Sequence, residues 1–219
     1  MTPPIRAVIF DFDGLIVDTE STGYFTWTEI YAEHGHDLPL ERYAQVIGGD
    51  FLSTSYDPRK ELETLTGIRF DWEVMEQKRK DRERELRKSL LIHPGVIDRL
   101  QEARELGLGT AIGSSSPRFW IDSWVDQLGL HGCFDHISTM DDTGKVKPDP
   151  SIFLHAAESL GAAPDEVLIF EDSLNGLKAA TAAGMRCIVV PGPMTRHLDF
   201  TGALRRVASL TNVSLKEFV

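Results

Sequence analysis

Short apolar runs alternate with amphipathic segments over most of this chain. Val8–Phe10 and Val167–Phe170 are apolar at consecutive positions and rich in strand formers, a pattern typical of parallel strands that are covered on both faces. Strands that alternate with helices predict an α/β fold with a doubly wound parallel sheet. Further strands are predicted over Leu108–Ile112, Phe134–Ser138 and Arg186–Val190, and helices over Val96–Leu106, Pro117–Leu128, Ser151–Leu160 and Ser173–Ala183.

Segment 18–91 interrupts this alternation directly after the first strand. We therefore predict a core of residues 1–17 and 92–219 and an inserted helical domain of residues 18–91. The two junctions, near Val17–Asp18 and Leu91–His93, would form a hinge. Helical spacing in the insert predicts helices over Thr19–His34, Leu38–Val46, Arg59–Leu65 and Trp72–Leu90.

The charge of the chain narrows its partners. Its 219 residues carry 23 Lys and Arg against 34 Asp and Glu, a net charge of −11, which argues against a nucleic-acid or anionic membrane surface. Membrane-length apolar runs and a basic-then-apolar leader are both missing from the sequence. Cys133 and Cys187 form no C-x-x-C pair, so we expect two reduced thiols. These features predict a cytoplasmic monomer that binds neither nucleic acid nor a membrane.

Carboxylates follow two of the predicted buried strands. Asp11 and Asp13 come directly after the first strand, and Glu171 and Asp172 come directly after the fourth. The carboxyl ends of parallel strands meet at the ligand-binding edge of a sheet. Carboxylates this close repel each other unless a cation or a shared proton lies between them, and such oxygen ligands suit Mg²⁺. The pattern indicates a metal site, acid/base chemistry, or both.

Two further loops supply groups that could bind an anion. Ser114, Ser115 and Ser116 precede a proline at a predicted helix start, so Ser116 is predicted to be the N-cap. Hydroxyls, free backbone N–H groups and the helix dipole favour a phosphate there, although capping alone would need only one serine. Lys147 precedes Pro148, which holds the lysine in an extended loop.

In order and residue type, these segments resemble the four motifs of the haloacid-dehalogenase-like phosphotransferase superfamily. The motifs read here as Asp11–Glu20 (DFDGLIVDTE), Ser114, Lys147–Pro150 and Glu171–Ser173, and the match covers nearly the whole chain. The resemblance implies a Rossmann-like core with a helical cap, as in the branch that includes β-phosphoglucomutase and many sugar-phosphate phosphatases. It also implies Mg²⁺ as cofactor and a small phosphorylated metabolite as ligand.

The resemblance further implies catalytic roles for Asp11, Asp13, Ser114 and Lys147. Asp11 would attack phosphorus and form an aspartyl-phosphate, since an aspartate needs no separate base to act as a nucleophile. Asp13 would protonate the leaving alkoxide and then deprotonate the attacking water. Ser114 and Lys147 would hold the transferring oxygens.

The implied metal and substrate ligands come from the same motifs and from the insert. Mg²⁺ would be held by the Asp11 carboxylate, the Asp13 backbone carbonyl and Asp172, with Glu171 assisting directly or through water. The implied substrate contacts are Ser115 and Ser116 in the core, a cap loop containing Gly48 and Gly49, and Lys80 on the long cap helix.

Three functions are compatible with these motifs: a phosphatase, a sugar phosphomutase, and a non-catalytic protein that binds a phosphorylated ligand. The third would need a broken motif, and none is broken. In β-phosphoglucomutase-like relatives a cap histidine follows the first motif, and Gly23 stands at that position here. His34 and His36 could replace it only if the chain folds back, so hydrolysis is favoured over isomerisation.

Other chemistries fit less well. Asp13 and the second carboxylate pair argue against a dehalogenase, which needs neither Mg²⁺ nor that acid. A phosphonate hydrolase would need a lysine near the start of the insert, and residues 21–30 contain none. The glycines of segment 107–113 have the wrong spacing for a dinucleotide fingerprint, and the first of them precede the strand.

Overall fold

The computed structural model describes residues 3–44 and 56–219 of the protein. Their strands form one six-stranded sheet in which every neighbouring pair is parallel. The strands are β1 (Ala7–Phe10), β2 (Gly109–Gly113), β3 (His136–Ser138), β4 (Val167–Glu171), β5 (Arg186–Val189) and β6 (Arg205–Arg206). Their order across the sheet is β3-β2-β1-β4-β5-β6. The predicted doubly wound α/β fold is confirmed, and β6 is a strand that the pattern did not predict.

Helices occupy the segments between the strands and most of the described insert. In chain order they are α1 (Thr19–Glu33), α2 (Leu40–Tyr43), α3 (Pro58–Thr66), α4 (Trp72–Arg87), α5 (Val96–Glu105), α6 (Arg118–Leu128), α7 (Met140–Thr143), α8 (Ser151–Ser159) and α9 (Leu174–Ala182). None of the described helices combines the length and the apolar character that crossing a membrane requires.

Successive strand residues point to opposite sides of the sheet, and helices cover both sides, so the sheet is buried on both faces. Val8 and Phe10 of β1 pack in one apolar cluster with residues of α5 and α6. Ala7 and Ile9 pack in a second cluster with residues of α8 and α9. This two-sided burial explains why β1 is apolar at consecutive positions.

Several predicted boundaries differ from the observed ones. In the predicted helix over Leu38–Val46, only Leu40–Tyr43 is helical among the residues described, and the predicted Trp72–Leu90 helix ends at Arg87. The strand predicted from Phe134 begins at His136. Next to its start the Asp135 N–H donates to the Thr110 carbonyl at 2.9 Å, but the Thr110 N–H donates to the Asp135 carboxylate at 2.8 Å and not to a backbone carbonyl.

The prediction that Ser116 caps a helix is wrong. Helix α6 begins at Arg118, and Pro117 is its N-cap in an extended conformation. The Ser116 hydroxyl instead donates to the Asp13 carboxylate at 2.7 Å. A hydrogen bond to a charged acceptor is stronger than one to a neutral group, which favours this partner over the helix end.

The insert has its own apolar cluster and a narrow connection to the core. Asp18 caps α1 by accepting the Ser21 N–H at 3.0 Å. The two junctions of the insert pair directly, because the His93 N–H donates to the Ile16 carbonyl at 2.8 Å. The cluster contains Trp27, Ile30, Tyr31, Leu38, Tyr43, Ala44, Leu62 and one residue from beyond the insert, Met194. The division into core and cap stays a prediction that this arrangement supports.

Helix α9 lies so close to the end of β4 that one of its positions has no room for a side chain. A Cβ added at Gly176 would lie 1.7 Å from Oε1 of Glu171, which is fully buried. The glycine therefore lets the helix start beside the buried carboxylate.

We predict that Gly176→Ala lowers the free energy of unfolding by about 1–3 kcal/mol, because overpacking forces a buried carboxylate to move. Lys178→Ala, on the exposed side of the same helix, should change stability by less than about 0.5 kcal/mol. Urea unfolding followed by circular dichroism measures both. Equal stability of the two variants would contradict the packing argument.

Candidate active site

The candidate site lies at the carboxyl ends of three adjacent strands. Strand β1 pairs with β2 on one side and with β4 on the other, so the residues after these strands meet at one edge. The Asp11 N–H donates to the Phe170 carbonyl at 2.9 Å, which holds the start of the first motif against β4. Ligands bind at such crevices in open α/β sheets.

Four ionisable side chains form a buried cluster at this edge. Lys147 is 1% exposed, and its Nζ donates to Asp11 Oδ1 at 2.5 Å and to Glu171 Oε1 at 2.7 Å. Asp172 is also buried, and ligand oxygens of Asp11, Glu171 and Asp172 lie within 4.8 Å of one another. The structure thus brings Lys147 from its loop to the carboxylates of both strand ends. With every group ionised, three negative charges face one positive charge.

The two carboxylates that follow β4 have different environments. Glu171 Oε2 accepts the N–H groups of Asp172 and Ser173 at 2.8 and 2.7 Å and the Ser173 hydroxyl at 3.0 Å, while Oε1 accepts Lys147. Glu171 is therefore well supplied with donors. The buried Oδ1 of Asp172, in contrast, has no hydrogen-bond partner among the described residues. An unpartnered buried oxygen of this kind calls for a ligand.

Burial and mutual repulsion shift the pKa values of this cluster. Burial raises the pKa of Asp11 to about 8, with Lys147 opposing the rise and Glu171 adding to it. Burial, Glu171 and Asp11 likewise raise the pKa of Asp172 well above its usual value. Burial alone would lower the pKa of Lys147, but the Asp11 and Glu171 carboxylates raise it above its usual range. The lysine stays charged, and the carboxylates need a second compensating group.

The residues present fit a magnesium ion. The cluster is composed of oxygen donors, it carries excess negative charge, and Asp172 Oδ1 lacks a partner, as expected for a hard divalent cation. Asp11 and Asp172 are the direct ligands that this donor set favours. Glu171 already accepts hydrogen bonds from Lys147 and from the backbone of its own loop, so it would assist the ion indirectly.

Asp13 lies outside this cluster and is surrounded by neutral donors. Its Oδ1 accepts the Thr19 hydroxyl at 2.6 Å and the Trp120 indole N–H at 2.9 Å. Its Oδ2 accepts the Ser116 hydroxyl at 2.7 Å and the Ser114 hydroxyl at 3.4 Å. The donors on both oxygens fix the orientation of the carboxylate.

The three serines after β2 have separate partners. Ser114 and Ser116 contact Asp13, and the Ser116 N–H donates to the Ser114 hydroxyl at 3.0 Å. The Ser115 hydroxyl accepts the Lys147 backbone N–H at 3.1 Å. The serine loop thus links Asp13 to the lysine loop. The predicted phosphate contacts of Ser115 and Ser116 stay predictions.

Two contacts of Asp13 were not predicted from the sequence. Trp120 on α6 carried no predicted functional role, yet its indole N–H donates to Asp13. Thr19 lies in the first motif but carried no predicted role. A partly buried indole needs a hydrogen-bond partner, which is the one signal that could have drawn attention to Trp120.

The predicted cap contacts are less well defined. Gly48 and Gly49 lie outside the described residues. Lys80 is exposed on α4. On the same helix the Arg87 guanidinium stacks on the Trp120 ring at 4.3 Å, so Arg87 connects the insert to a residue that holds Asp13. The predicted substrate contact of Lys80 stays a prediction.

Comparison with known proteins places the chain in a family. The model of the family described as haloacid dehalogenase-like hydrolase matches residues 5–184. The chain is a haloacid dehalogenase-like hydrolase. Both the predicted membership and the Rossmann-like α/β core of this family are thereby confirmed.

Curated and solved relatives of this hydrolase act on, or bind, phosphate compounds according to their names. YhcW of Bacillus subtilis, which carries a provisional phosphatase name, is 41% identical and spans 96% of this chain and 94% of its own. Hexitol phosphatase B of Escherichia coli is 27% identical, and the match covers 98% of this chain and 97% of that protein. The structure of a mutant CbbY from Rhodobacter sphaeroides in complex with xylulose-(1,5)bisphosphate is 28% identical in sequence. It superposes with a TM-score of 0.72, and the match covers 98% of this chain and 99% of that chain. The hydrolase is a phosphoric monoester hydrolase.

We predict that Mg²⁺ raises the melting temperature of the hydrolase more at about pH 8.5 than at about pH 6, because protons occupy the cluster at the lower pH. The pKa of Asp11 is raised to about 8 in the folded protein, so the stability linked to its proton is present at low pH and lost as pH rises through that value. A bound cation replaces the proton. Differential scanning fluorimetry with EDTA or Mg²⁺ measures the effect.

The control for this prediction is Asp172→Asn, which removes the charge of the carboxylate that carries the unpartnered oxygen. Its melting temperature should respond little to Mg²⁺ at either pH. A wild-type response of the same size at both pH values would contradict competition between protons and the cation.

Proposed function

We propose that the hydrolase is a Mg²⁺-dependent phosphatase that cleaves a small sugar-phosphate-like monoester through an aspartyl-phosphate on Asp11. The observation that carries the proposal is the buried cluster of Asp11, Lys147, Glu171 and Asp172 directly beside an Asp13 held by hydrogen-bond donors. The names of two relatives, a hexitol phosphatase and a protein solved with a sugar bisphosphate, support a sugar-derived substrate.

In the first half of the proposed reaction, a carboxylate oxygen of Asp11 bonds to phosphorus while the bond from phosphorus to the ester oxygen breaks. Asp13 must enter this step protonated, and it gives that proton to the departing alkoxide, which leaves as an alcohol. Lys147 holds a transferring oxygen by charge, and Ser114 donates a hydrogen bond. When bound by Asp11, Asp172 and the Asp13 carbonyl, with Glu171 assisting indirectly, Mg²⁺ supplies charge neutralisation between carboxylate and phosphate.

In the second half, water attacks the phosphorus of the aspartyl-phosphate and Asp13 accepts its proton. Inorganic phosphate leaves and the Asp11 carboxylate is restored. We infer that the insert 18–91 acts as the cap that encloses this step and excludes bulk water. The paired junctions at Ile16 and His93 support a hinge there.

The surroundings of Gly23 favour hydrolysis over the mutase alternative. A Cβ at this position would lie 2.9 Å from the Tyr43 hydroxyl and 3.5 Å from Glu83 Oε1. A histidine here would require these side chains to move. The proton-carrying cap residue of the β-phosphoglucomutase-like branch therefore has no equivalent at this position.

We predict that Asp11→Asn abolishes turnover and Asp13→Asn lowers kcat/KM for alkyl phosphates by about 10²–10⁴-fold. Loss of the acid should cost less with p-nitrophenyl phosphate, whose leaving group needs little protonation. Phosphate release measures both, and mass spectrometry after acid quench should detect a phosphoryl adduct in wild type and none in Asp11→Asn. Near-wild-type turnover of Asp11→Asn would reject the nucleophile.

Trp120 gives a separate prediction about Asp13. Trp120→Phe keeps an aromatic ring but removes one donor to the Asp13 carboxylate, so kcat/KM for an alkyl phosphate should fall about tenfold. The value for p-nitrophenyl phosphate should fall less, because its leaving group needs little protonation from Asp13. The comparison is made in kcat/KM, which reports only steps up to leaving-group departure. The control is Trp124→Phe, since Trp124 packs against Trp120 at 5.9 Å but is buried in the core cluster. Equal losses in both variants, or with both substrates, would contradict a role through Asp13.

A further inference from the structure

Arg87, at the end of α4, lies against the tryptophan that holds Asp13. Its guanidinium stacks on the Trp120 ring at 4.3 Å, and the Trp120 indole N–H donates to Asp13 Oδ1 at 2.9 Å. The backbone carbonyl of Arg87 also accepts the side-chain amide of Gln127, on α6, at 3.5 Å. The end of α4 is therefore attached to the helix that reaches the first motif.

Few contacts hold the Arg87 guanidinium in this place. Its Nη2 donates to Oε1 of the buried Glu83, whereas its buried Nε has no hydrogen-bond partner in the described part of the chain. A buried donor without a partner is costly, so the ion pair and the ring contact must outweigh that cost. Burial lowers the pKa of Arg87, and Glu83 and Asp13 oppose this change, so the side chain stays charged.

The two oxygens of Asp13 depend on different parts of the molecule. Oδ2 accepts only hydroxyls of the serine loop after β2 among the described contacts. Oδ1 accepts the hydroxyl of Thr19, on α1 of the insert, and the indole of Trp120, whose ring lies under Arg87. A cation over the face of an indole attracts the ring and polarises its N–H group. Arg87 can therefore act on Oδ1 without touching Asp13.

We propose that Arg87 is a positioning residue for the acid/base step: stacked on Trp120, it keeps the indole N–H directed at Asp13 Oδ1 and strengthens that hydrogen bond. The inference rests on the proposed function. It gives Arg87 no contact with the substrate. Without Arg87 the indole is free to turn, and the Asp13 carboxyl is aimed less well at the leaving oxygen. Only a step that needs the proton of Asp13 should then become slower.

The test compares two aryl phosphates of nearly the same shape. Phenyl phosphate releases phenol, which like tyrosine has a pKa of about 10 and needs a proton, whereas the leaving group of p-nitrophenyl phosphate needs little protonation. With Mg²⁺ present, we expect Arg87→Gln to lower kcat/KM for phenyl phosphate about fivefold, as for loss of a partly buried cation–π contact. The value for p-nitrophenyl phosphate should change less than about twofold. Equal losses with the two esters would overturn the inference.

Arg79 offers a matched control on the same helix. It pairs with the same Glu83 at 3.1 Å and also lies over a tryptophan ring, that of Trp27, at 5.1 Å. Trp27 belongs to the apolar cluster of the insert. Arg79→Gln thus takes a cation from Glu83 and from an indole but leaves Trp120 untouched, so any loss should be equal for the two esters. A selective loss with phenyl phosphate would trace the effect to the insert as a whole and overturn the inference.

A double-mutant cycle tests the route through Trp120. In Trp120→Phe the indole N–H is already gone, so adding Arg87→Gln should cause no further selective loss with phenyl phosphate. A further selective loss would mean that Arg87 acts on the substrate or directly on Asp13, and would overturn the inference.

Two further measurements keep the outcome decisive. If Arg87→Gln melts below the assay temperature because Glu83 has lost a partner, the double variant Glu83→Gln/Arg87→Gln removes both charges and should show the same selective loss. An unchanged preference in a folded variant that hydrolyses both esters would overturn the inference and leave the phosphatase proposal standing. No turnover of either ester by the wild type with Mg²⁺ would reject the phosphatase proposal, and the inference would fall with it.

Discussion

Excess buried negative charge is the constraint on which this site depends. Asp11, Glu171 and Asp172 are each less than 7% exposed, and within residues 3–44 and 56–219 Lys147 is their only buried counter-charge. An unpaired buried charge is costly, so the cluster must bind protons or a cation. The same excess charge that favours cation binding therefore destabilises the metal-free fold.

The backbone is adapted to hold these carboxylates close together. A Cβ at Gly14 would lie 2.2 Å from Asp172 Oδ2, and one at Gly176 would lie 1.7 Å from Glu171 Oε1. Gly14 also has a φ of 89°, which side chains rarely adopt. The glycines let the loops after β1 and β4 pack closely against the acids, and this close packing is what concentrates the negative charge.

Asp11 and Asp13 follow the same strand but lie in different environments. Asp11 lies among charges in the buried cluster, whereas Asp13 accepts hydroxyl and indole donors at its edge. Environments that differ this much suit a nucleophile and an acid/base group. The Trp120 indole connects Asp13 to Arg87 and hence to Glu83 of the insert, so the position of the insert and the orientation of Asp13 are physically linked.

The sequence by itself determined the alternating architecture and the set of carboxylates, because strand periodicity and motif order are local properties. Apolar runs identified β1 and β4, and the residues that follow them were predicted as the site. The partners of Asp13 could not be read in this way. Ser116 does not cap the helix but donates to Asp13, and Trp120 donates to the same carboxylate from a helix more than 100 residues away. Such contacts depend on how α6 and the serine loop before it pack beside the end of β1, and only the tertiary structure decides which side chains meet there.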